Sequence, residues 1–170
     1  LPAAVMTFEP HPREFFTHER RPTRLTSLRE KLELFAEAGV DRVYVCRFNA
    51  RFAALSAQAF IEDLLVRGLG VRHLIIGDDF RFGRGREGDF ERLRLAGERH
   101  GFSLATMATI AVDGERVSSS AVRGALEHGD LARAEALLGR PYEISGRVEH
   151  GQKIGRELGF PTANVQIRQR

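Results

Sequence analysis

The sequence predicts an α/β fold: a parallel β-sheet covered by helices on both faces through about residue 140, then a short segment of different character. Three observations carry this. Apolar runs of strand length alternate with amphipathic stretches of about three helical turns, the pattern of a doubly covered parallel sheet. The polar and glycine-rich segments fall after the strands, at the carboxyl ends where such sheets bind ligands. After Arg140-Pro141 the helical pattern stops, and residues 142–150 alternate like an antiparallel strand. A domain boundary is expected there, giving domains 1–140 and 141–170.

The elements follow in order. Ala3 to Phe8, bounded by Pro2 and Pro10, is a short apolar run and the first strand. Glu9-Pro10-His11-Pro12 leaves it as a loop, because two prolines break the ladder. Ser27 and Glu30 have capping-box spacing, and Gly39 stands where a helix stops. Arg42 to Phe48 is a second strand, and Ser56 caps a helix carrying Phe60, Leu64 and Leu65, closed by Gly68 or Gly70. Val71 to Gly77 is a third strand, followed by a Gly/Arg-rich loop to Gly88. Asp89 opens a helix that Gly101 ends, and Phe102 to Val112 is a fourth strand before the Asp113-Gly114 turn. Short helices follow Ser118-Ser119-Ser120 and Asp130, the latter carrying the stripe Leu131, Ala134, Leu137, Leu138 up to Gly139. Tyr142 to His150 and Phe160 to Val165 are strands separated by Gly151, Gly155 and Gly159.

Composition narrows the function classes. The 170 residues hold 26 Lys+Arg against 23 Asp+Glu, a net charge of +3, which suits anionic small molecules as well as nucleic acid. Hydrophobic content of 42% and charged content of 29% exclude a disordered or collagen-like chain. No window approaches the roughly 20 apolar residues of a spanning helix, so no membrane partner is expected. Cys46 is the single cysteine, which excludes an internal disulfide and Cys-rich zinc modules and makes a reducing, cytoplasmic home the expectation. Neither end reads as a natural terminus, so the chain is expected to be a piece of a longer protein.

Four segments could carry chemistry. Phe8-Glu9-Pro10-His11-Pro12-Arg13 is a stiff loop that can present His11 and Arg13 to an anion with Phe8 or Phe15 beside a flat ring; its plainer reading is a rigid strand exit. Gly77-Asp78-Asp79-Phe80-Arg81-Phe82-Gly83-Arg84-Gly85-Arg86 mixes aromatics that can stack a heterocycle with guanidinium groups that fork onto phosphate. The same loop reads as a single-strand nucleic-acid patch or as a mobile basic loop. Ser118, Ser119 and Ser120 at a helix start, with Arg123 a turn later, suit phosphate, or serve as simple N-capping. Thr162 and Asn164, two apart in an extended segment, put a hydroxyl and an amide oxygen on one side and can hold Mg²⁺, though many strands contain Thr-x-Asn.

These segments occur in a telling order. Phe-Glu-Pro-His-Pro at 8–12, Gly-Asp-Asp-Phe-Arg-Phe-Gly at 77–83, Val-Ser-Ser-Ser-Ala-Val-Arg at 117–123, Gly-Asp-Leu through Leu-Leu-Gly-Arg-Pro-Tyr at 129–142 and His-Gly through Leu-Gly-Phe-Pro-Thr-Ala-Asn at 150–164 closely resemble the bacterial bifunctional riboflavin kinase/FMN adenylyltransferases, the prokaryotic FAD synthetases. The resemblance implies a Rossmann-like nucleotidyltransferase lacking its first strand, followed by the start of a small antiparallel flavokinase β-barrel. It implies FAD biosynthesis in two reactions: phosphorylation of riboflavin by ATP to FMN, and adenylylation of FMN to FAD with release of pyrophosphate. Both use Mg²⁺.

By the same resemblance, Ser118, Ser119, Ser120 and Arg123 contact ATP phosphates, with Ser120 replacing the family's threonine. Phe8, His11, Pro12 and Arg13 match the loop near the flavin and nucleotide sites, and Asp79, Phe80, Arg81 and Phe82 the loop lining the FMN pocket. Gly151, Lys153, Gly155, Thr162 and Asn164 match the kinase's ATP site, with Thr162 and Asn164 towards the metal. The family's histidine segment Gly-x-Phe-Asp-x-x-His-x-Gly-His and the kinase's carboxylate base are not in this chain. No residue is therefore assigned a catalytic role, and neither activity is expected at a useful rate, since phosphoryl transfer depends on positioned charge. Order is expected mainly in residues 1–140, with 141–170 poorly packed.

Two other classes remain. Another adenylyl- or cytidylyltransferase would share the serine–arginine element but not Pro-Thr-Ala-Asn. A basic nucleic-acid-binding module built on Arg81–Arg86 would bind single strands with steep salt dependence.

Overall fold

The computed structural model describes residues 1–17, 22–149, 151, 159–160 and 162–166. The elements run β1 (Ala4–Glu9), α1 (Pro12–Phe16), α2 (Leu28–Glu37), β2 (Arg42–Arg47), α3 (Ala50–Ala53) and α4 (Ala57–Ala59), which continues as a π-helix over Phe60–Gly68. Then come β3 (His73–Ile76), a 3₁₀ turn at Arg84–Arg86, α5 (Phe90–His100), β4 (Ser103–Thr106), β5 (Ala111–Val112), β6 (Glu115–Arg116), α6 (Ser119–Glu127), α7 (Leu131–Leu138), β7 (Arg147–Glu149) and β8 (Asn164–Gln166). The result is a mixed α/β structure. The chain divides into two compact units, one of Leu1–Thr7, Thr17–Val45 and Val117–Arg170, the other of Phe8–Phe16 and Cys46–Arg116.

In the first unit the helix ends are built as the spacing predicts. The Ser27 hydroxyl accepts from the Glu30 N–H at 3.2 Å, and the Ser27 N–H donates to the Glu30 carboxylate at 2.6 Å, a complete capping box. The Ser118 hydroxyl accepts from the Ala121 N–H, and the Asp130 carboxylate from the Arg133 N–H. Helices α6 and α7 pack together and bury Val122, Ala125, Ala134 and Leu137. The expected stripe on α7 is only partly inward, because Leu131 is 63% exposed. Glu30 is buried, and its other carboxylate oxygen takes two hydrogen bonds from Ser145, from N–H at 2.8 Å and hydroxyl at 2.7 Å. Residue 145 is thereby tied to the start of α2. Strands β7 and β8 form an antiparallel ribbon with Val148 opposite Val165 and Glu149 opposite Asn164. Among the described residues this ribbon is not part of a closed barrel.

In the second unit β3 and β4 pair in parallel, His73 opposite Ser103 through Ile76 opposite Thr106. The buried side chains Ala57, Phe60, Ile61, Leu65, Ile76, Phe82, Leu93 and Phe102 form its core. Three expectations change here. Pro12 and Arg13, expected in the loop, instead open a short helix, Pro12–Phe16: Pro12 occupies its first position, where no N–H is needed, and the His11 ring accepts from the Arg13 N–H at 3.2 Å. The fourth strand ends at Thr106, and residues 111–116 form a separate hairpin whose turn residues Asp113 and Gly114 both have positive φ. The Ser56-capped helix turns π-helical from Phe60.

Among the described residues the strands pair two by two, as β1·β2, β3·β4, β5·β6 and β7·β8: the parallel sheet expected through about residue 140 is present as small ladders such as β3·β4 rather than one continuous sheet, and β7·β8 is antiparallel. Periodicity identifies strands and their buried faces, but it does not specify which backbone edge meets which.

Candidate functional site

The loop after β3 is shaped by its glycines. Phe82 and Gly88 form an antiparallel bridge, with N–H to carbonyl distances of 3.2 and 2.8 Å in the two directions. A Cβ at Gly88 would lie 2.6 Å from the Phe82 ring, so the ring rests directly on that glycine. Gly83 has φ of 75°, and a Cβ there would stand 2.7 Å from the Ala57 backbone nitrogen. This close approach lets the loop dock on the start of α4. The Arg84 N–H donates to the Leu55 carbonyl at 2.7 Å, and the Glu87 carboxylate accepts from the Ala57 N–H at 2.8 Å.

The docked loop completes an aromatic cluster. Phe8 meets Phe52 and Phe48 with ring centroids 5.4 and 5.8 Å apart, and Phe52 meets Phe60 at 6.4 Å. Phe60 meets Phe82 at 5.0 Å, and Phe80 stacks on Phe82 at 5.6 Å with an interplanar angle of 19°. Most of these contacts are the edge and tilted arrangements that aromatic quadrupoles favour. The rings enclose a cavity of about 450 Å³ whose lining includes Phe8, Phe52, Phe80 and Phe82, together with Pro12, Arg13, Arg81 and Arg86. That size suits a drug-sized or cofactor-sized ligand. Apolar walls with arginines in the lining match a molecule that is flat and unsaturated at one end and anionic at the other.

Arg81 is held in place. Its guanidinium pairs with Asp89 at 3.1 Å, while another oxygen of the same carboxylate accepts from the Arg92 N–H at 3.0 Å and caps α5. The Asp89 carboxyl lies below its ordinary pKa, chiefly through the Arg92 N–H, opposed by partial burial and aided by Arg81. Cys46 is raised by burial, which fits a packed thiol.

Of the residues singled out from the sequence, Phe8, Pro12, Arg13, Phe80, Arg81 and Phe82 line this cavity. His11 and Asp79 are exposed and are not among its lining residues, and Phe16 lines it where Phe15 does not. Phe48, Phe52 and Phe60 also line it, at positions the sequence does not mark for a cavity. The signal available was Phe48-x-x-x-Phe52, a helical spacing that reads equally well as core.

Ser118, Ser119, Ser120 and Arg123 belong to the other unit. Ser118 caps α6, Ser119 and Ser120 are exposed, and Arg123 donates from Nε to the Thr23 carbonyl at 2.6 Å. Thr162 and Asn164 are exposed, and Gly151 lies so close to the Asn164 side-chain amide that a Cβ would collide with it. Lys153 and Gly155 lie outside the described residues.

The FAD synthetase family model matches residues 1–121, well over half the chain. The chain belongs to the FAD synthetase family. A riboflavin kinase model matches residues 138–170. Among curated proteins, the bifunctional riboflavin kinase/FMN adenylyltransferase of Escherichia coli strain K12 is 57% identical over 168 residues, 99% of this chain and 54% of that protein. The protein of the same name from Pseudomonas fluorescens is 52% identical over 170 residues, all of this chain and 54% of its own length, and that from Haemophilus influenzae is 48% identical over 167, 98% of this chain and 54% of its own. The chain thus spans about half the length of the curated relatives it matches. A solved structure described as a macrolide-efflux protein from Streptococcus pneumoniae superposes with a TM-score of 0.84 at 27% identity, covering 100% of this chain and 55% of that one. That likeness is one of fold. No helix among the described residues is long and apolar enough to cross a membrane.

Proposed function

We propose that this chain takes part in FAD biosynthesis as a member of its family, and that its phenylalanine cavity is the seat of FMN. The observation that carries the reading is the cavity itself, aromatic on its walls and lined also by Arg13, Arg81 and Arg86. The isoalloxazine ring packs against Phe52 and Phe80, with the buried Phe82 ring backing Phe80, and the 5′-phosphate meets the guanidinium groups. In the adenylyltransferase reaction a phosphate oxygen of FMN attacks the α-phosphorus of ATP, and the bond to pyrophosphate breaks. Cavity residues would orient the nucleophile and exclude water, a positioning role that does not by itself supply the charge stabilisation of the family's histidine segment. Within the first unit, the amino end of α6, with Ser118, Ser119, Ser120 and Arg123, is proposed as a site for ATP phosphates in its own right, through backbone N–H groups and hydroxyls.

The riboflavin kinase role rests on residues 141–170 as a second domain, the beginning of a β-barrel. Thr162 and Asn164 supply hard oxygen donors suited to Mg²⁺, and the tight packing of Gly151 against Asn164 supports a fixed amide there. These two residues fit a Mg²⁺ shared with nucleotide phosphates. When bound, the ion would neutralise phosphate charge. His11 and Asp79 are proposed to act near the flavin as neighbours of the cavity, and Lys153 and Gly155 at the kinase nucleotide. A cytoplasmic location accords with these soluble substrates.

The test is a titration of FMN fluorescence with the chain, alone and with a single-stranded oligonucleotide present. Saturable quenching unaffected by the oligonucleotide is expected. Flavin-independent, salt-sensitive oligonucleotide binding would replace this reading with the nucleic-acid module.

A further inference from the structure

We infer that Asp89 is a positioning residue that selects the phosphorylated flavin by fixing Arg81 at the cavity. The inference rests on the proposed flavin site. Arg81 is exposed and long, and an unrestrained arginine on a glycine-rich loop samples many rotamers. Asp89 is fixed before it meets Arg81, because one oxygen is committed to the Arg92 N–H as the cap of α5. Its other oxygen holds Arg81 Nη1 at 3.1 Å. The same stretch of loop is closed by the Phe82–Gly88 bridge, so Arg81 and Asp89 flank a ring of fixed geometry.

The guanidinium has five N–H donors, and a single contact with Asp89 leaves the rest for an anion in the cavity. An ion pair this exposed is weak, so the hold it gives on the guanidinium is limited to a severalfold effect on affinity. A neutral flavin without the phosphate stacks on the same rings and has no use for Arg81. Asp89 therefore separates the two flavins by affinity.

The experiment compares dissociation constants for FMN and riboflavin in the wild-type chain, Asp89→Ser, Arg81→Ala and the double variant, with thermal midpoints alongside. Serine keeps the helix cap and removes the carboxylate. The expected result for Asp89→Ser is FMN affinity weaker by on the order of three- to tenfold, with riboflavin unchanged. The same split is expected for Arg81→Ala, with no further loss in the double variant. FMN affinity that is unchanged, or tighter because a competing negative charge has gone, overturns the inference, as does an equal loss for both flavins. If the wild-type chain binds neither flavin, it is the flavin site itself that fails, a separate outcome.

Discussion

Replacing Glu30 by glutamine isolates a buried charge whose contribution depends on pH. The residue is 9% exposed, and its carboxylate accepts from the Ser27 N–H at 2.6 Å and from the Ser145 N–H and hydroxyl at 2.8 and 2.7 Å. Burial pushes its pKa up, but the Ser145 and Ser27 hydrogen bonds outweigh that and hold it at about 2, against an ordinary 4.5. Because the folded value is depressed, the folded state is favoured once the unfolded carboxyl has ionised, above about pH 4.5, and the gain is lost as pH falls towards 2. Linkage puts the contribution at ~3 kcal/mol at neutral pH and ~1 kcal/mol at pH 3. Glutamine offers one acceptor and two donors where two acceptors are needed, so Glu30→Gln loses most of this. For a chain of this size that is a fall in Tm of roughly 6–12 °C at pH 7. Thermal unfolding followed by circular dichroism at pH 7 and pH 3, in wild type and variant, gives the comparison. A penalty equal at both pH values, or absent at pH 7, refutes the assignment of the charge to Ser27 and Ser145.

Further outcomes follow from the same geometry. Gly83→Ala forces a Cβ against the Ala57 backbone at positive φ and should destabilise by ~2 kcal/mol or more, read by urea unfolding. Ser118→Ala removes the hydroxyl that caps α6, costing ~1 kcal/mol in chemical unfolding, and should weaken ATP binding in calorimetry beyond that stability loss. Phe52→Ala removes a cavity wall between Phe8 and Phe60 and should weaken riboflavin and FMN alike in fluorescence titrations. Cys46, raised by burial, should react with iodoacetamide at pH 7 more slowly than free cysteine.

What the residues disclosed, and what they withheld, divides along physical lines. Helix ends were legible because a cap is a local event: Ser27 with Glu30, Ser56, Ser118 and Asp130 each act within three residues of themselves. Half of the cavity was legible because Phe80, Arg81 and Phe82 sit among glycines in a loop, where large aromatics have no evident packing role. The other half was hidden, since Phe48, Phe52 and Phe60 look like core positions and only tertiary structure turns them towards an empty space. The Glu30–Ser145 contact, 115 positions apart, has no local signature, and Glu30 read as a capping residue alone. Strand pairing was beyond reach for the same reason, and so was the early end of β4, where an apolar run continued past the last ladder hydrogen bonds.

The most direct test of the flavin site is a crystal structure of the chain grown with FMN. The isoalloxazine ring is predicted against Phe52 and Phe80 with its phosphate against Arg81. Flavin ordered elsewhere on the chain, with the phenylalanine cavity empty beside it, would contradict the account.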